Sequence, residues 1–570
     1  MRCRGRQRKE AVSSEQREST EFDGFTLEGA SARKTKPKRH RRRFSRKSHD
    51  HPAPDSAVRR ATAASALGNA TEWYDYGIYA VATSYIASHF FAGFSNATLL
   101  TLATFAISFL VRPIGGLVWG PLGDRLGRKT VLATTILMMS GATFLIGVLP
   151  TVDQVGILAP ILLITLRLVQ GFSTGGEYGG AATYMAEYAP DHRRGFFGSF
   201  LEFGTIAGFA LGTGLMLLME VALTPDQMSA FGWRIPFLLA APIGLVGFYL
   251  RSRLDDTPVF TELDGASAAS TTDGDGDPEA DSPETDSAPG IIGLIRDHWR
   301  TMLMMSGLVI AVNVVNYTLL TYMPTYLNHQ IGLSSTMGLT VVLIGQLAMM
   351  ALMPIVGRVS DHTGRKPVWY FSLAALTLMA IPMFKLIGFN FGFAIVGFAA
   401  LALLYIPQLS TITATFPSLF PTQARYSGFA ITYNVATSIF GGTAAMVNEW
   451  AIGVTGDIAF PAYYMMAACL IGLACVWYMP ETAGASLRGT AVPGTLGSAV
   501  ADGSPAERAL EECRQPEQRG MEEHEMLEAT QQAIEEAEAF AEAVAAIHEE
   551  AAQDEAAQDE AGEQPAPTVS

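Results

Sequence analysis

Acidic side chains inside an apolar segment are the first residues whose types could do chemistry. Glu72 and Asp75 are three residues apart, so they share one face if the segment is helical, with Tyr76 and Tyr79 alongside. Neighbouring carboxylates raise each other's proton affinity, which suits a group that must load and unload a proton. The alternative interpretation is a structural ion pair with an arginine of a neighbouring segment.

Two arginines, Arg112 and Arg167, stand well inside apolar segments of the first half of the chain. A guanidinium can bind a carboxylate through two hydrogen bonds, so either could hold the acidic group of a ligand. For Arg112, pairing with Glu177 or Glu72 is the structural alternative. Glu202 is a further isolated acid, for which a coupling role and a structural role both stay open. The candidate proton-coupling residues are Glu72, Asp75, Arg167, Glu177 and Glu202.

Aromatic and amide side chains in the same segments could line a binding pocket. Aromatic faces attract a positively charged group, and neutral oxygens can accept hydrogen bonds from it. The alternative is that these residues serve helix packing or anchor the chain at a membrane interface. The candidate substrate-binding residues are Asn69, Trp73, Tyr76, Tyr79, Arg112, Gln170, Tyr178, Asn313, Asn316 and Tyr317.

The composition shows what elements must position these residues. The chain has 570 residues, of which 49% are hydrophobic and only 16% charged, whereas charged residues make up about 25% of an ordinary soluble protein. Twelve apolar runs are long enough to cross a hydrocarbon core of about 30 Å, which predicts an all-α membrane protein with twelve transmembrane helices. They lie at about 63–91, 97–121, 130–150, 156–186, 196–222, 233–252, 301–327, 337–358, 367–387, 391–415, 426–449 and 459–479.

The sequence does not favour an enzyme. It contains no His/Cys set with metal-ligand spacing, no nucleophile with a partnered base and no phosphate-binding glycine loop. We therefore expect no catalytic residue, no metal and no cofactor.

Basic residues concentrate in alternate connections between the predicted spans, and this asymmetry predicts orientation. The basic connections should face the cytoplasm together with both termini, in a multi-pass protein of the cell membrane. We expect no cleavable signal peptide before the first span. The basic residues concerned are Arg125, Arg128, Lys129, Arg193, Arg194, Arg251, Arg253, Arg358, Arg365, Lys366 and Arg425.

The chain divides into two six-helix halves, 61–252 and 301–480, separated by an acidic cytoplasmic linker, 253–300, whose composition predicts disorder. Residues 120–129 follow the second span of the first half, and the similar residues 357–366 follow the second span of the second half. Such a duplication is typical of carriers with parallel halves and a site between them.

The repeated ten residues are also candidates for a gate at the cytoplasmic end. Oppositely charged groups there could pair when the gate is closed and separate when it opens. The alternative is a charged turn that only fixes topology. The gating candidates are Asp124, Arg125, Arg128, Lys129, Asp361, Arg365 and Lys366.

Several segments carry a resemblance to a known family. Residues 120–129 match the complete Gly-x-x-x-Asp-Arg-x-Gly-Arg-Lys loop signature of the major facilitator superfamily, whereas His362 replaces the usual arginine in the second copy. The chain further resembles the metabolite:proton symporter family and, within it, the ProP-type osmosensory proline/betaine transporters. The segments that carry this are 68–75, 112–116, 170–178, 233–237, 320–324, 461–464 and 481–489.

The resemblance implies the major facilitator fold and import of proline, glycine betaine or ectoine by alternating access, driven by the proton gradient without a cofactor. Arg167 begins an Arg-x-x-Gln-Gly run that this superfamily associates with proton coupling. The alternative is a proton symporter for a carboxylate metabolite such as 2-oxoglutarate, citrate or shikimate. The expected partners are a small zwitterionic solute, a proton and the lipid bilayer, with no nucleic acid.

The two ends of the chain are strongly charged. Residues 1–60 carry eighteen basic against eight acidic residues, which predicts a disordered arm attracted to anionic lipid headgroups. Residues 481–570 form an acidic tail, in which 522–551 has a heptad-like pattern and predicts a helix. ProP-like proteins have a regulatory tail, so the resemblance implies osmotic regulation and homo-association through this segment. The alternative is a solvated acidic tail.

Overall fold

The computed structural model describes the backbone of residues 55–126, 128–252 and 291–487, and most of their side chains. The predictions for the basic arm, the middle of the linker and the helix at 522–551 therefore lie outside the described residues. Within these ranges every regular element is helical. The fold class predicted from the apolar runs is thus confirmed.

Helices of the first half coincide with each of its six predicted spans. The first span consists of α1 and α2, the second of α3 and α4, and the fourth of α7 and α8, while α5, α9 and α11 form the third, fifth and sixth. Their bounds are Asp55–Val81 (α1), Thr83–Phe90 (α2), Ala97–Leu110 (α3), Arg112–Leu126 (α4), Arg128–Val148 (α5), Val152–Val155 (α6), Leu158–Ser173 (α7), Glu177–Tyr188 (α8), Arg194–Ala222 (α9), Pro225–Gln227 (α10) and Arg234–Ser252 (α11).

The second half repeats this arrangement, and its helices again coincide with the predicted spans. Two spans contain a π-helical segment, at Tyr317–Tyr322 and at Thr437–Gly441. The helices are Ile291–Asn316 (α12), Met323–His329 (α13), Ser335–Thr363 (α14), Arg365–Ile387 (α15), Phe391–Leu409 (α16), Ile412–Thr415 (α17), Thr422–Ala436 (α18), Ala444–Thr455 (α19) and Phe460–Tyr478 (α20).

Eight helices of the described part are long and apolar enough to cross a membrane, and nine if the bent pair Pro225–Gly232 and Arg234–Tyr249 counts as one span. The first and third predicted spans and the eleventh fall outside this count, although each is helical. The first contains Glu72 and Asp75, and the eleventh is divided by a turn at residues 442–443, after its π segment. The number twelve therefore stays a prediction.

Two predicted boundaries differ from the structure. α12 begins at Ile291, ten residues before the predicted span at 301, so the end of the predicted disordered linker is helical. The segment 291–300 lacks the acidic and serine-rich composition of the preceding residues, and its apolar side chains recur at helical spacing. α1 similarly begins at Asp55, inside the predicted N-terminal arm.

Close helix packing holds the centre of the first half. α1 packs along α9, where a Cβ added at Gly204 would lie 2.1 Å from the carbonyl oxygen of Ala66. The same atom at Gly208 would lie 2.4 Å from the carbonyl oxygen of Ala70. Small residues at this spacing let two membrane helices approach closely. α9 also packs along α14 of the second half, so α9 connects α1 to the seam between the halves.

Candidate functional site

A cluster of aromatic rings lies at the seam between the two halves. Trp73 and Tyr76 of α1 contact each other with ring centroids 5.5 Å apart, and Tyr76 lies 5.3 Å from Phe109 of α3. Tyr317 of the second half lies 5.2 Å from Phe109 and 6.4 Å from Trp73. All four rings are buried. Because Tyr317 comes from the second half, both halves form this cluster.

The Arg112 guanidinium lies against these rings. Its Cζ is 4.1 Å from the ring centroid of Phe109 and 4.9 Å from that of Tyr76. The side chain is only 3% exposed, and its Nε and Nη2 have no hydrogen-bond partner among the described residues. Glu72 lies within electrostatic range of it. A buried guanidinium with available donors beside aromatic faces offers both contacts that a zwitterion needs.

A second polar group surrounds Arg167 inside the first half. Arg167 donates from Nη1 to Oε1 of Gln170 at 2.8 Å and from Nη2 to Oγ of Ser108 at 3.2 Å. Gln170 in turn donates to Oγ1 of Thr143 at 2.5 Å. Thr143 also lies beside Asp75, whose carboxylate interacts electrostatically with Arg167. Asp75 and Arg167 therefore belong to one buried network.

Tyr79 belongs to this second group and not to the aromatic cluster around Arg112. The Arg167 Cζ lies 4.1 Å from the Tyr79 ring centroid. The Tyr79 hydroxyl donates to the backbone oxygen of Thr101 at 3.0 Å. Its polar atom is therefore already engaged in packing α1 against α3.

Glu202 of α9 accepts hydrogen bonds from two neighbours. The Tyr178 hydroxyl donates to Oε1 of Glu202, and Thr205 donates to its Oε2 at 3.0 Å. Asn69 donates to Oγ1 of Thr205 at 2.6 Å, and Trp73 donates to Oδ1 of Asn69 at 3.2 Å. Asn69 and Tyr178 therefore lie beside the aromatic cluster, connected to it through hydrogen bonds.

The second half contributes neutral polar groups near the seam. Asn313 donates at 3.0 Å to Oγ1 of Thr437, the first residue of the π-helical segment in the eleventh span. Asn316 accepts from the Tyr405 hydroxyl at 3.2 Å. Both amides are buried and engaged in hydrogen bonds within the second half.

Charged contacts join the halves at the end that carries residues 357–366, which we call the signature end. Asp361 accepts from the backbone nitrogens of Gly195 at 2.7 Å and Phe196 at 2.9 Å, at the start of α9. Arg365 contacts the same carboxylate at 2.6 Å. A carboxylate at a helix N-terminus is stabilised by the unpaired amides and the helix dipole.

Further contacts at the signature end involve the segment after α20. Glu481 accepts from the backbone nitrogens of Arg365 at 2.8 Å and Lys366 at 3.0 Å, while the Lys366 ammonium donates to the carbonyl of Trp477. Arg425 pairs with Glu187 of the first half at 3.2 Å. Of the gating candidates, the structure thus gives contacts for Asp361, Arg365 and Lys366. The side chains of the first copy, Asp124, Arg125, Arg128 and Lys129, lie outside the described residues.

The halves also touch at the opposite end. Glu220 of α9 accepts from Tyr85 at 2.9 Å, from Ser335 at 2.5 Å and from Thr336 at 3.2 Å. Ser335 and Thr336 begin α14, so this carboxylate again lies at a helix N-terminus of the other half. With contacts between the halves at both ends, the aromatic cluster is enclosed.

A family model described as "Sugar (and other) transporter" matches residues 61–492 of the chain, which contain this site and nearly all the described helices. The chain belongs to this family.

Three similar proteins have names that describe transporters of proline, betaine or ectoine. The glycine betaine/proline/ectoine/pipecolic acid transporter OusA of Dickeya dadantii is 40% identical over 463 residues, 80% of this chain and 89% of the relative. The proline/betaine transporter of Escherichia coli is 40% identical over 438 residues, 76% of this chain and 86% of the relative. The ectoine/proline transporter ProP of Corynebacterium glutamicum is 40% identical over 446 residues, 77% of this chain and 87% of the relative.

Solved structures of the same fold are more distant in sequence. The MFS (major facilitator superfamily) proton:xylose symporter XylE bound to 6-bromo-6-deoxy-D-glucose has a TM-score of 0.59 at 17% identity, covering 76% of this chain and 98% of its own. A partially occluded inward-open conformation of XylE from Escherichia coli also has a TM-score of 0.59 at 17% identity, covering 76% and 100%. At this identity the similarity shows the fold alone.

As a member of this transporter family, the protein is a multi-pass membrane protein with the major facilitator fold, and it is not an enzyme. The resemblance read from the sequence motifs is confirmed. The structure gathers Trp73, Tyr76, Arg112 and Tyr317 at the seam and places Asp75, Arg167 and Gln170 in the adjoining network. The side chain of Glu177 lies outside the described residues.

Sequence reasoning missed several residues that complete the site. Phe105 and Phe109 lie four apart on α3 and supply rings around Arg112 and Arg167. Their spacing is a usable signal, because residues four apart share a helix face. Tyr433 stacks on Tyr178 from the second half. That contact joins distant parts of the chain, and no local pattern indicates it.

Proposed function

We propose that this transporter imports a small zwitterionic compatible solute (proline, glycine betaine or ectoine) together with a proton, by alternating access. The observation that carries the proposal is the buried Arg112 guanidinium, which lies against the rings of Tyr76 and Phe109 in the cluster that Trp73 and Tyr317 complete at the seam. The names of the relatives at 40% identity support the same class of solute.

The two groups of the ligand have separate contacts in this arrangement. Nε and Nη2 of Arg112 bind the solute carboxylate, because they are buried donors without a described protein partner. The aromatic faces hold the positive nitrogen through cation–π attraction, worth about 0.5–2 kcal/mol. Neutral acceptors in the second half avoid a like charge near that nitrogen.

Proton coupling is assigned to Asp75. Its carboxylate is buried and interacts electrostatically with Arg167, whose Cζ lies 6.0 Å from the Tyr76 ring centroid of the aromatic cluster. Protonation of Asp75 would weaken its attraction to Arg167 and leave the guanidinium free to rearrange. Neutralising a buried charge in this way is a local change that can bias two conformations of the surrounding helices.

The orientation proposed for the transporter places the signature end and both termini in the cytoplasm of the cell. Contacts at that end, such as Asp361 with the start of α9, close the inner side of the seam, and those of Glu220 close the outer side. Osmotic regulation and homo-association through the acidic tail remain predictions from the resemblance.

Uptake into proteoliposomes tests the proposal. Purified protein should accumulate radiolabelled glycine betaine or proline when a proton gradient is imposed, and a protonophore should abolish the accumulation. Unlabelled ectoine should compete, whereas 2-oxoglutarate should not. Accumulation of 2-oxoglutarate in preference to proline would instead support the carboxylate-metabolite alternative. An absence of gradient-driven uptake of these zwitterions would refute the proposal.

A further inference from the structure

A second aromatic contact joins the halves beside the aromatic cluster of Trp73, Tyr76, Phe109 and Tyr317, which we call the solute cluster. Tyr178 of α8 and Tyr433 of α18 stack with ring centroids 4.5 Å apart and an angle of 17° between their planes. Phe429 lies 5.6 Å and Phe416 lies 6.5 Å from the Tyr433 ring. Tyr178 and Tyr433 are both buried. At this contact the halves therefore meet through rings and not through charges.

The position of the stack follows from the helix that carries Tyr433. Arg425, which pairs with Glu187 at the signature end, lies eight residues before it (433 minus 425). Gly441 lies eight residues after it (441 minus 433), and a Cβ at Gly441 would come within 2.7 Å of the Tyr317 ring. The first interval is α-helical and spans about 12 Å, and the second includes the π-helical segment Thr437–Gly441. Tyr433 thus lies along this span between the residue that meets the Tyr317 ring and the charged contacts.

Glu202 holds the first-half member of the stack in place. Its Oε1 accepts from the Tyr178 hydroxyl, and its Oε2 accepts from Thr205 at 3.0 Å. Asn69 donates to Thr205, and Trp73 donates to Asn69. A continuous series of hydrogen bonds therefore runs from a ring of the solute cluster to a ring of the stack.

We propose that the Tyr178–Tyr433 stack is the inner barrier of the solute site, and that Glu202 is a positioning residue for this barrier and does not carry the coupled proton. The proposal rests on the proposed function, because it assigns a barrier to the same site. Both oxygens of Glu202 act as acceptors for neutral donors, a role that a glutamine oxygen can also fill for Tyr178. Two stacked rings can separate and meet again without exposing a buried charge.

The barrier can be tested by measuring how tightly solute flux is coupled to the proton gradient. In proteoliposomes, Tyr433→Ala should lower the steady-state accumulation ratio by about two- to tenfold, the range of aromatic pair energies. It should also raise efflux in the absence of a gradient while keeping solute counterflow. Tyr433→Phe keeps the ring and should change the ratio by less than about twofold. Tyr433→Leu keeps bulk without a ring and should behave like Tyr433→Ala.

Glu202 is tested by the same readouts. Glu202→Gln keeps an acceptor for Tyr178 but cannot exchange a proton, so it should still accumulate solute against a gradient. Glu202→Ala and Tyr178→Phe both remove the hydrogen bond, so both should leak solute. Tyr464→Ala removes a ring that stacks on Phe460 within α20 and serves as the matched control. It should leave the accumulation ratio unchanged.

The outcomes separate the two proposals. If the unaltered transporter fails to accumulate zwitterions, the proposed function is wrong. If it accumulates them and both Tyr433→Ala and Tyr433→Leu keep the same ratio and efflux rate, the barrier is wrong. Loss of accumulation with retained counterflow in Glu202→Gln would make Glu202 the proton carrier and overturn its positioning role.

Discussion

The two halves of this transporter share an architecture but differ in their buried chemistry. The first half places five charged side chains in its span interiors, namely Glu72, Asp75, Arg112, Arg167 and Glu202. In the described interior of the second half, the buried polar side chains are neutral, and they include Asn313, Asn316, Gln346, Gln408 and Asn448. Charged groups of the second half include Asp361 and Arg365 at the signature end, and the half-buried Glu449 of α19, which accepts from the Tyr322 hydroxyl at 2.7 Å.

The duplicated segments show this difference at one pair of corresponding positions. The repeated segments begin at Gly120 and Gly357, a spacing of 237 residues (357 minus 120). In the same register, Arg112 corresponds to Met349 of α14 (112 plus 237), which is fully buried. One copy thus carries a guanidinium where the other carries a thioether.

Concentrating the charges in one half has a physical advantage for alternating access. Separating the partners of a buried charge pair is costly, because each must regain solvent or remain unpaired. The network of Asp75, Thr143, Gln170 and Arg167 lies entirely within the first half. The halves can therefore move apart at either end without dividing this network. In the proposed mechanism, the solute would then meet neutral polar groups of the second half as it binds and leaves.

Replacing the proposed proton carrier should have the largest effect. An asparagine at position 75 cannot take up a proton, so Asp75→Asn should lose gradient-driven accumulation and keep counterflow exchange. A potential of 100 mV supplies about 2.3 kcal/mol per proton, or roughly fifty-fold accumulation, and this is what the variant should lose. Radiolabelled uptake at an imposed potential measures it.

Asp457→Asn is the control for that experiment, because this exposed carboxylate lies beyond the end of α19. It should accumulate solute like the unaltered protein. If Asp75→Asn still accumulates solute, another residue carries the coupled proton. The proposed coupling role of the charged network in the first half would then be wrong.

Arg112 should have the next largest effect, on affinity. A hydrogen bond to a charged group contributes about 1.5–3 kcal/mol, so Arg112→Ala should raise the KM for proline by about ten- to a hundredfold. Arg112→Lys keeps the charge but loses the two-pronged geometry, and should lie between these values. Met349→Leu at the corresponding position of the second half should change the KM by less than about twofold. Equal effects at the two positions would contradict a specialised first half.

Tyr317 tests what the second half contributes to solute binding, because it is the second-half ring in the solute cluster. Tyr317→Ala should weaken glycine betaine binding by about two- to thirtyfold, since it removes a cation–π face. Tyr317→Phe keeps that face and should stay within about twofold. Competition assays with labelled proline give both affinities. A large loss in Tyr317→Phe would show that the second half contributes a polar contact through the hydroxyl.

Much of this molecule could be predicted from its sequence because membrane burial leaves a strong pattern. Long apolar runs located each helix, and Glu72, Asp75, Arg112 and Arg167 stood out because charge is rare in such runs. The repeated signature predicts the division into two halves, and that division stays a prediction. Boundaries were less exact, as at Ile291, because the helix continues past the apolar run.

The grouping of the site residues could not be predicted. Tyr79 and Tyr76 lie on one helix face, yet Tyr79 lies 4.1 Å from Arg167, whereas Tyr76 lies nearer to Arg112, at 4.9 Å, than to Arg167, at 6.0 Å. The rotation of α1 against α3 and α7 decides which ring meets which guanidinium, and helical spacing contains no information about it. The contact of Tyr178 with Tyr433 likewise depends on how the halves meet.

The smallest effect is expected at a neutral amide of the second half. Asn316→Ala removes an acceptor for Tyr405, but the Tyr405 hydroxyl also lies 3.3 Å from the carbonyl oxygen of Val312 and keeps that contact. The KM for proline and the accumulation ratio should therefore each change by less than about threefold, in keeping with a neutral hydrogen bond worth about 0.5–1.5 kcal/mol that is only partly lost. If Asn316→Ala instead abolished accumulation while counterflow persisted, the second half would take part in coupling, and the division of labour between the halves would not hold.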